Sequence, residues 1–201
     1  AVHDFVAALL KHGKANPFIQ IFLPFQRRVA YFGRFNSLSQ ELLKLTCPGV
    51  PDTYRGSESW DFSLVDPDNR RPVDYAQYRA LLGEVQQIGS APESFVLDDR
   101  IKLFIVQRTL NFRREHPDFF GVSDYEPIAA LGAKAEHVIA FRRIYQGKAI
   151  LVVVPRLIAT LTDGEERPPT GEVWGDTHMV VDGGPYRNVF TGEVVNGGDV
   201  A

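Results

Sequence analysis

The spacing of apolar residues changes near Gly121, and this change constrains the fold more than any other feature of the chain. Before Gly121, apolar side chains recur at the three- and four-residue intervals of helices. After it, short β-branched segments alternate with glycine turns. Helices followed only by strands indicate an α+β fold in two units, which we place at residues 1–120 and 121–201.

Helix signals divide the first unit into several segments. The predicted helices cover residues 2–11, a segment from Asn16-Pro17 to Pro24, a segment capped by Asn36 or Ser37 that ends at Leu45, a segment from Asp74 to Val85, and a segment from Asp98 or Asp99 to His116. Pro48, Gly49 and Pro51 exclude a helix, so we predict a short strand near 47–52 and a loop at 53–74. A linker is expected at 89–92.

The second unit is expected to form an antiparallel β-sandwich. The predicted strands are 125–131, 137–143, 148–155, 173–174, 178–181 and 186–190. The 148–155 segment is nearly all apolar, which predicts a central strand buried on both faces. One of those faces is expected to meet Ile101, Phe104 and Ile105 of the last helix.

Composition argues against several classes of protein. The formal net charge is -3 and no basic cluster is visible, so no nucleic-acid partner is expected. No apolar run approaches membrane-spanning length, so no membrane partner is expected either. The single cysteine, Cys47, permits no internal disulfide and fits a reducing, cytoplasmic compartment. The histidines form no metal pair, and we expect neither a metal site nor a cofactor.

Residues 48–74 have the composition of a ligand-site rim. They combine prolines and glycines with five aspartates, a tryptophan and the adjacent Arg70 and Arg71. Packing alone does not require this mixture, and loops on rigid scaffolds commonly carry binding residues. We therefore interpret this segment as part of a site for a polar ligand.

A family resemblance supports that interpretation. Residues 49–58, Gly-Val-Pro-Asp-Thr-Tyr-Arg-Gly-Ser-Glu, resemble the segment at the end of the eighth barrel strand in the alpha-amylase superfamily of glycoside hydrolases. The segments 23–29, 36–40, 42–46, 60–74, 152–156 and 173–177 are similar to maltooligosyltrehalose synthases within that superfamily. The sequence departs from the family at Arg55, where glutamine is usual. It also lacks the family's final apolar strand after residues 196–201.

The resemblance implies a fold and an activity. The first unit would carry the last elements of a (β/α)8 catalytic barrel, and the second would be the β-sandwich that follows it. The enzyme would convert the reducing-end α-1,4 linkage of a maltooligosaccharide into an α,α-1,1 linkage by retaining intramolecular transglycosylation. This uses one carboxylate as nucleophile, one as acid/base and a third that stabilises the sugar. In the family these carboxylates lie upstream, in the barrel of the same polypeptide. We therefore assign no catalytic residue to this chain, interpret it as a C-terminal piece, and expect it to be inactive alone.

The resemblance also implies substrate-binding positions on the loop. These are Tyr54, Glu58, Trp60, Asp61, Asn69, Arg70 and Arg71. Structural roles remain open for several of them: the arginines could pin the loop through Asp66 or Asp68, and Trp60 could be a core residue beneath it. A non-catalytic glucan-binding or domain-interaction module remains the alternative for the whole chain. Catalytic carboxylates in the upstream sequence would distinguish an enzyme from such a module.

Overall fold

The computed structural model describes residues 1–13, 15–89 and 98–200 and confirms a mixed fold of helices followed by small antiparallel sheets. The helices are α1 (Val2–Leu9), α2 (Pro17–Thr46), α3 (Tyr75–Gln87), α4 (Asp99–Glu115), α5 (Pro117–Gly121) and α6 (Ile158–Leu161). The strands are β1 (Asp124–Ile128), β2 (Ala130–Leu131), β3 (Val138–Tyr145), β4 (Lys148–Pro155), β5 (His178–Val181), β6 (Tyr186–Arg187), β7 (Val194–Val195) and β8 (Gly198–Val200).

The division at residue 120 and the barrel and sandwich assignments stay predictions. No helix in the described part of the chain is both long and apolar enough to span a membrane.

Three helices begin at the residues that the sequence predicts. The Asn16 side chain accepts hydrogen bonds from the N–H groups of the first turn of α2, and the Asp74 side chain does the same for α3. Asp98 accepts from the N–H of Arg100 at 2.7 Å and so caps α4. Each cap satisfies donors that have no partner within the helix, which explains why a short local signal fixes the helix start.

The predicted breaks inside α2 are wrong. The helix continues through Pro24 and through Asn36 and Ser37 for 30 residues. Proline removes one backbone donor and disturbs one turn, but the hydrogen bonds of the neighbouring turns remain available. Local capping signals therefore did not decide the length of this helix.

Two predicted strands do not form. Residues 47–52 are irregular, and no strand of the described chain pairs with them. Residues 173–174 belong instead to a 3₁₀ turn, Gly171–Trp174, which begins at a glycine with a φ of 67°. A strand requires a neighbour to satisfy its backbone groups, and neither segment has one among the described residues. The linker expected at 89–92 lies largely outside the described residues.

The longest sheet has the order β1-β3-β4, and all of its pairs are antiparallel. Among the described residues no second strand pairs with β4, which lies at the edge of this sheet, so the prediction that residues 148–155 form a central strand is wrong for this part of the chain. β3 is central, since it pairs with a neighbour on each side. A second sheet has the order β2-β5-β8, and a buried cluster containing Ala140, Met179 and Val181 joins it to the first.

The core of the helical half does not pack against β4 as the sequence suggested. Phe104 is buried with Leu103 of α4 and Val85 of α3, and Phe190 from the second half packs against this cluster. The rings of Phe104 and Phe190 lie 6.3 Å apart. β4 instead meets α2, as shown by the hydrogen bond of 2.8 Å from the Ser39 hydroxyl to the Pro155 carbonyl.

Two arginines fix the end of α2 and hence the start of the loop that follows it. Arg113 of α4 donates to the carbonyl of Leu45 at 2.6 Å, and Arg143 of β3 donates to that of Thr46 at 3.2 Å. Arg143 is almost completely buried and also donates to the Ser123 hydroxyl at 2.8 Å. Positive groups at a helix C-terminus satisfy its free carbonyls and complement its dipole. The loop after Thr46 therefore begins from a position held by both halves of the chain.

Candidate functional site

The rim loop, residues 53–74, is held by the three long helices around it. The Tyr78 hydroxyl of α3 donates to the carbonyl of Gly56. The Lys102 ammonium of α4 donates to the carbonyls of Ser57 at 2.7 Å and Ser59 at 3.0 Å. From α2, Lys44 approaches the Thr53 hydroxyl at 3.4 Å. The segment that contains Tyr54, Glu58 and Trp60 is thus supported on several sides.

Lys102 is the most unusual of these supports. It is only 7% exposed although it carries an ammonium group. Burial lowers its pKa, while the charge of Glu41 acts in the opposite direction. A buried lysine is tolerated when its donors are used, and here they bind two backbone carbonyls of the loop.

A tight turn shapes the segment between Tyr54 and Glu58. The carbonyl of Tyr54 accepts from the N–H of Ser57 at 3.0 Å, and the Glu58 carboxylate accepts from the N–H of Gly56 at 2.8 Å. Gly56 has a φ of 87°, and a Cβ there would lie 3.0 Å from a methyl group of Val73. Glycine therefore fits this turn because it tolerates positive φ and leaves room for Val73.

Nearby charges affect the tyrosine that supports this turn. Burial raises the pKa of Tyr78, and the charges of Glu58 and Asp61 raise it further. Tyr78 therefore stays protonated to a higher pH than an ordinary tyrosine does, and its hydroxyl can go on donating to the Gly56 carbonyl. Tyr54 itself is exposed, so its ring is available to a ligand.

Trp60 lies between the loop and the start of α4. Its indole N–H donates to the carbonyl of Asp98 at 3.1 Å, and the Arg34 guanidinium lies 5.7 Å from its ring centre. These contacts agree with the structural alternative for Trp60, because its polar atom is used within the chain. The ring of Trp60 is partly exposed, so contact between this ring and a sugar stays a prediction.

Each adjacent arginine pairs with an acid of its own loop. Arg70 binds Asp66, which raises the pKa of Arg70, and Arg71 binds Asp68. Arg70 and Arg71 are both largely exposed, so their remaining N–H groups face solvent. Both arginines therefore pin the loop, as the structural alternative expects, and contact of either arginine with a ligand stays a prediction.

Asp61 and Asn69 differ in their surroundings. Asp61 accepts from the N–H of Ser63 at 2.9 Å, and this bond is the main reason why the pKa of Asp61 lies below its ordinary value. The Asn69 side-chain oxygen is buried and has no hydrogen-bond partner within the described residues. Asp61 therefore acts as a turn residue, while Asn69 retains an unused acceptor. No cluster of possible metal ligands occurs in the described ranges.

The predicted residues form two adjoining groups. Residues 54–61 lie in and after the supported turn, and residues 69–71 lie in and just after the 3₁₀ turn Asp68–Arg70. Arg55 connects the groups by donating to the carbonyl of Arg70 at 3.3 Å. Whether any of these residues touches sugar stays a prediction.

Apolar surface lies beside the polar rim. Phe62, Leu64 and Val65 are 74%, 75% and 83% exposed. The rim therefore offers both polar and apolar groups to a ligand.

Sequence reasoning missed Lys102 and Tyr78. The signal for Lys102 was a lysine within the apolar run 101–106 of the best-defined helix. A lysine within such an apolar run is expected to be more buried than an ordinary surface lysine. Its partners, however, lie 43 and 45 residues away in sequence, so only the fold identifies them.

The comparisons with curated proteins and with solved structures both find maltooligosyltrehalose synthases. The chain is 40% identical over 162 residues to proteins named putative maltooligosyl trehalose synthase from two strains of Mycobacterium tuberculosis, CDC 1551 and H37Rv. That alignment covers 81% of this chain and 18% of each relative. No family model matches the chain.

Solved structures give the same result. The maltooligosyltrehalose synthase of Arthrobacter ramosus superposes with a TM-score of 0.75 at 34% identity, over 97% of this chain and 23% of that one. A point mutant of that enzyme gives 0.75 at 35% identity. This chain therefore spans about a fifth of the length of its relatives. The resemblance seen in the sequence is confirmed: the chain is similar to part of maltooligosyltrehalose synthase, in sequence over four fifths of its length and in fold over nearly all of it.

Proposed function

We propose that this chain is the C-terminal part of an enzyme that converts maltooligosaccharides to maltooligosyl trehaloses. The observation that carries the proposal is the 40% identity over 162 residues to maltooligosyl trehalose synthase. In the longer polypeptide, which we call the full-length enzyme, the reducing-end α-1,4 linkage would be replaced by an α,α-1,1 linkage. The compartment would be the cytoplasm, in keeping with the single cysteine.

The chemistry assigns different tasks to the two parts of that polypeptide. A retaining reaction needs a carboxylate nucleophile and a carboxylic acid close together. We place both in the upstream barrel, so this chain contributes binding and not bond cleavage. The released glucose must remain bound, turn over and attack through its anomeric hydroxyl before water does. Exclusion of water from the pocket favours that transfer over hydrolysis.

The rim loop suits the task of retaining the sugar. Tyr54, Arg70 and Arg71 are exposed polar groups on a segment that Lys102 and Tyr78 hold in place. A pre-positioned loop loses little conformational freedom when substrate binds, which favours tight and oriented binding. The proposal includes sugar contacts by the predicted rim residues, which are Tyr54, Glu58, Trp60, Asp61, Asn69, Arg70 and Arg71.

Product analysis tests the proposed function. The full-length enzyme is incubated with maltopentaose, and the anomeric protons are followed by nuclear magnetic resonance. We expect the reducing-end signals to fall while α,α-1,1 signals grow in equal amount. Formation of glucose and shorter maltooligosaccharides as the main products would identify a hydrolase instead. Binding of maltopentaose without turnover would favour the glucan-binding module.

A further inference from the structure

One acidic side chain is buried in α2, the helix that leads into the rim loop. Glu41 is 7% exposed, although glutamates are almost never buried unless they are paired. Its Oε1 atom has no hydrogen-bond partner in the described part of the chain. A buried charge without compensation is costly, so this carboxylate depends on positive groups close to it.

Lys44 supplies the first positive charge. Its ammonium lies 2.8 Å from the Oε1 atom of Glu41 and 3.4 Å from the hydroxyl of Thr53. Residues three positions apart lie on the same side of a helix, so α2 forms this ion pair without distortion. Lys44 therefore links the buried carboxylate to the first residue of the rim loop.

Lys102 of α4 supplies the second positive charge. Burial lowers the pKa of Lys102, and among the nearby charges that of Glu41 opposes this effect most strongly. An opposite charge nearby favours the charged form of an amine. Glu41 thus helps to keep Lys102 as an ammonium, with the N–H donors that bind the carbonyls of Ser57 and Ser59.

The two lysines contact the rim loop next to residues that we expect to meet sugar. One contact is at Thr53, directly before Tyr54. The other contacts are at Ser57 and Ser59, on either side of Glu58. The position of this part of the rim therefore depends on both ammonium groups at once.

The two ammonium groups need a negative charge between them. After burial, the charge of Lys44 is a further influence that lowers the pKa of Lys102, so the two groups repel each other. The buried carboxylate of Glu41 offsets that repulsion. Without its charge, Lys44 and Lys102 would separate or Lys102 would lose its proton, and either change would loosen their hold on the loop.

We propose that Glu41 is a positioning residue for the reacting sugar. Its charge keeps Lys44 and Lys102 on the rim loop, and the loop in turn keeps the released glucose in place until that glucose attacks. Glu41 itself acts without touching substrate. The inference rests on the proposed function, because it gives Glu41 a part in the balance between transglycosylation and hydrolysis.

The ratio of free glucose to α,α-1,1 product from maltopentaose tests this role. Glu41→Gln keeps nearly the same shape and removes the charge. In the full-length enzyme the ratio should rise at least about fivefold, because a rim displaced by about 1 Å retains the released glucose poorly. A residue that only stabilises the fold would change the amount of active enzyme and leave the ratio the same, since both products come from the same active molecules. An unchanged ratio would overturn the proposal.

Three further variants complete this experiment. Glu41→Asp keeps the charge and should bring the ratio back towards the wild type, whereas a ratio equal to that of Glu41→Gln would contradict a role for the charge. Glu115→Gln removes an exposed negative charge, is the matched control and should leave the ratio unchanged. If Glu41→Gln does not fold, Lys44→Met at a partly exposed position replaces it. Lys44→Met breaks the ion pair and should also raise the ratio, and a wild-type ratio there would overturn the proposal.

Amide hydrogen exchange tests the physical link without substrate. In the full-length enzyme, Glu41→Gln should speed the exchange of amides 56–60 at least about fivefold, because the bonds from Lys102 to the loop weaken. In a Lys102→Met background the same substitution should have little further effect, because two changes on one route are not additive. Equal acceleration in both backgrounds would show that Glu41 does not act through Lys102.

The two proposals fail separately. If the wild-type full-length protein forms no α,α-1,1 product, the proposed function fails, and the exchange experiment still shows whether Glu41 positions the loop. If the wild type forms this product and Glu41→Gln leaves the ratio unchanged, the proposed function stands and the role of Glu41 is wrong.

Discussion

The Lys102 ammonium lies 2.7 Å from the carbonyl oxygen of Ser57, although the two residues are 45 positions apart in sequence. A second bond to the Ser59 carbonyl means that this ammonium binds the backbone on both sides of Glu58. Helix α4 thus determines where the rim loop lies. The loop geometry depends on a residue that we do not place in contact with substrate.

Replacing Lys102 by methionine tests this dependence. Lys102→Met should lower the free energy of unfolding by about 1–3 kcal/mol, because two buried carbonyls lose their donor. Amides of residues 56–60 should also exchange faster in the variant. Lys11→Met, which removes an exposed positive charge, is the matched control and should change stability by less than about 0.5 kcal/mol. A Lys102→Met protein as stable as the wild type would show that these two hydrogen bonds make no net contribution to the free energy of unfolding.

The stability deficit of Lys102→Met should depend on pH. Burial lowers the pKa of Lys102 in the folded chain, so the unfolded chain binds more protons between that value and the ordinary pKa of about 10.4. In this window the wild type gains stability relative to the variant as pH rises. Unfolding measured in denaturant from about pH 7 to about pH 10 should show the deficit growing. A deficit that shrinks with pH would mean that the charged form is favoured in the fold.

Asp98 should contribute stability that is lost in acid. Burial opposes its ionisation, but the hydrogen bonds from the Arg100 side chain and N–H outweigh burial and hold the pKa of Asp98 below its ordinary value. Its contribution is therefore complete above about pH 4 and disappears as pH falls through the lowered pKa. Asp98→Ala should lower the free energy of unfolding by about 1 kcal/mol at about pH 7, through loss of the cap. Thermal melts of both proteins at about pH 7 and about pH 2 should show the difference disappearing, and a constant difference would contradict this role.

Local signals explain what the sequence predicted well. Asn16, Asp74 and Asp98 cap the helices that they were expected to cap, since a cap depends on groups only two or three residues away. The hairpin of β3 and β4 follows from two β-branched segments joined by Gln146 and Gly147.

Long-range packing explains what the sequence did not predict. The edge position of β4 depends on which strand lies beside it, and apolar composition alone suggested a central strand. Pro24 suggested a break within α2, but the local free-energy cost of one proline does not decide the length of a 30-residue helix. The loop residues 69–71 were located by resemblance, but their pairing with Asp66 and Asp68 required the structure.

Variants of Arg70 and Arg71 and of their acidic partners can distinguish a substrate-binding role of the arginines from a structural role. In the full-length enzyme, at least one of Arg70→Ala and Arg71→Ala should reduce transglycosylation by at least about tenfold, because a substrate contact would be lost. Asp66→Asn and Asp68→Asn are matched controls that weaken each ion pair and keep the arginine. Steady-state kinetics with maltopentaose should leave these controls close to the wild type. Wild-type kinetics in both alanine variants would exclude a catalytic contribution from either arginine.

Phe104 should couple the helical half to the rest of the chain. Its side chain is 1% exposed and packs with Val85, Leu103 and Phe190. Phe104→Ala should lower the free energy of unfolding by about 3–5 kcal/mol, through lost burial and the cavity that remains. Circular dichroism should show helical and β signals melting together at the lower temperature. Early melting of the helical signal alone would mean that the two halves unfold independently.

The most direct test of the central claim compares the 201-residue chain with the full-length enzyme on maltopentaose. The claim is that this chain supplies part of the substrate-site rim and that the catalytic carboxylates lie elsewhere in the polypeptide. We predict α,α-1,1 product from the full-length enzyme and no turnover above a blank from the 201-residue chain, by both reducing-end and trehalose-product assays. Measurable isomerisation or hydrolysis by the purified 201-residue chain would contradict the claim.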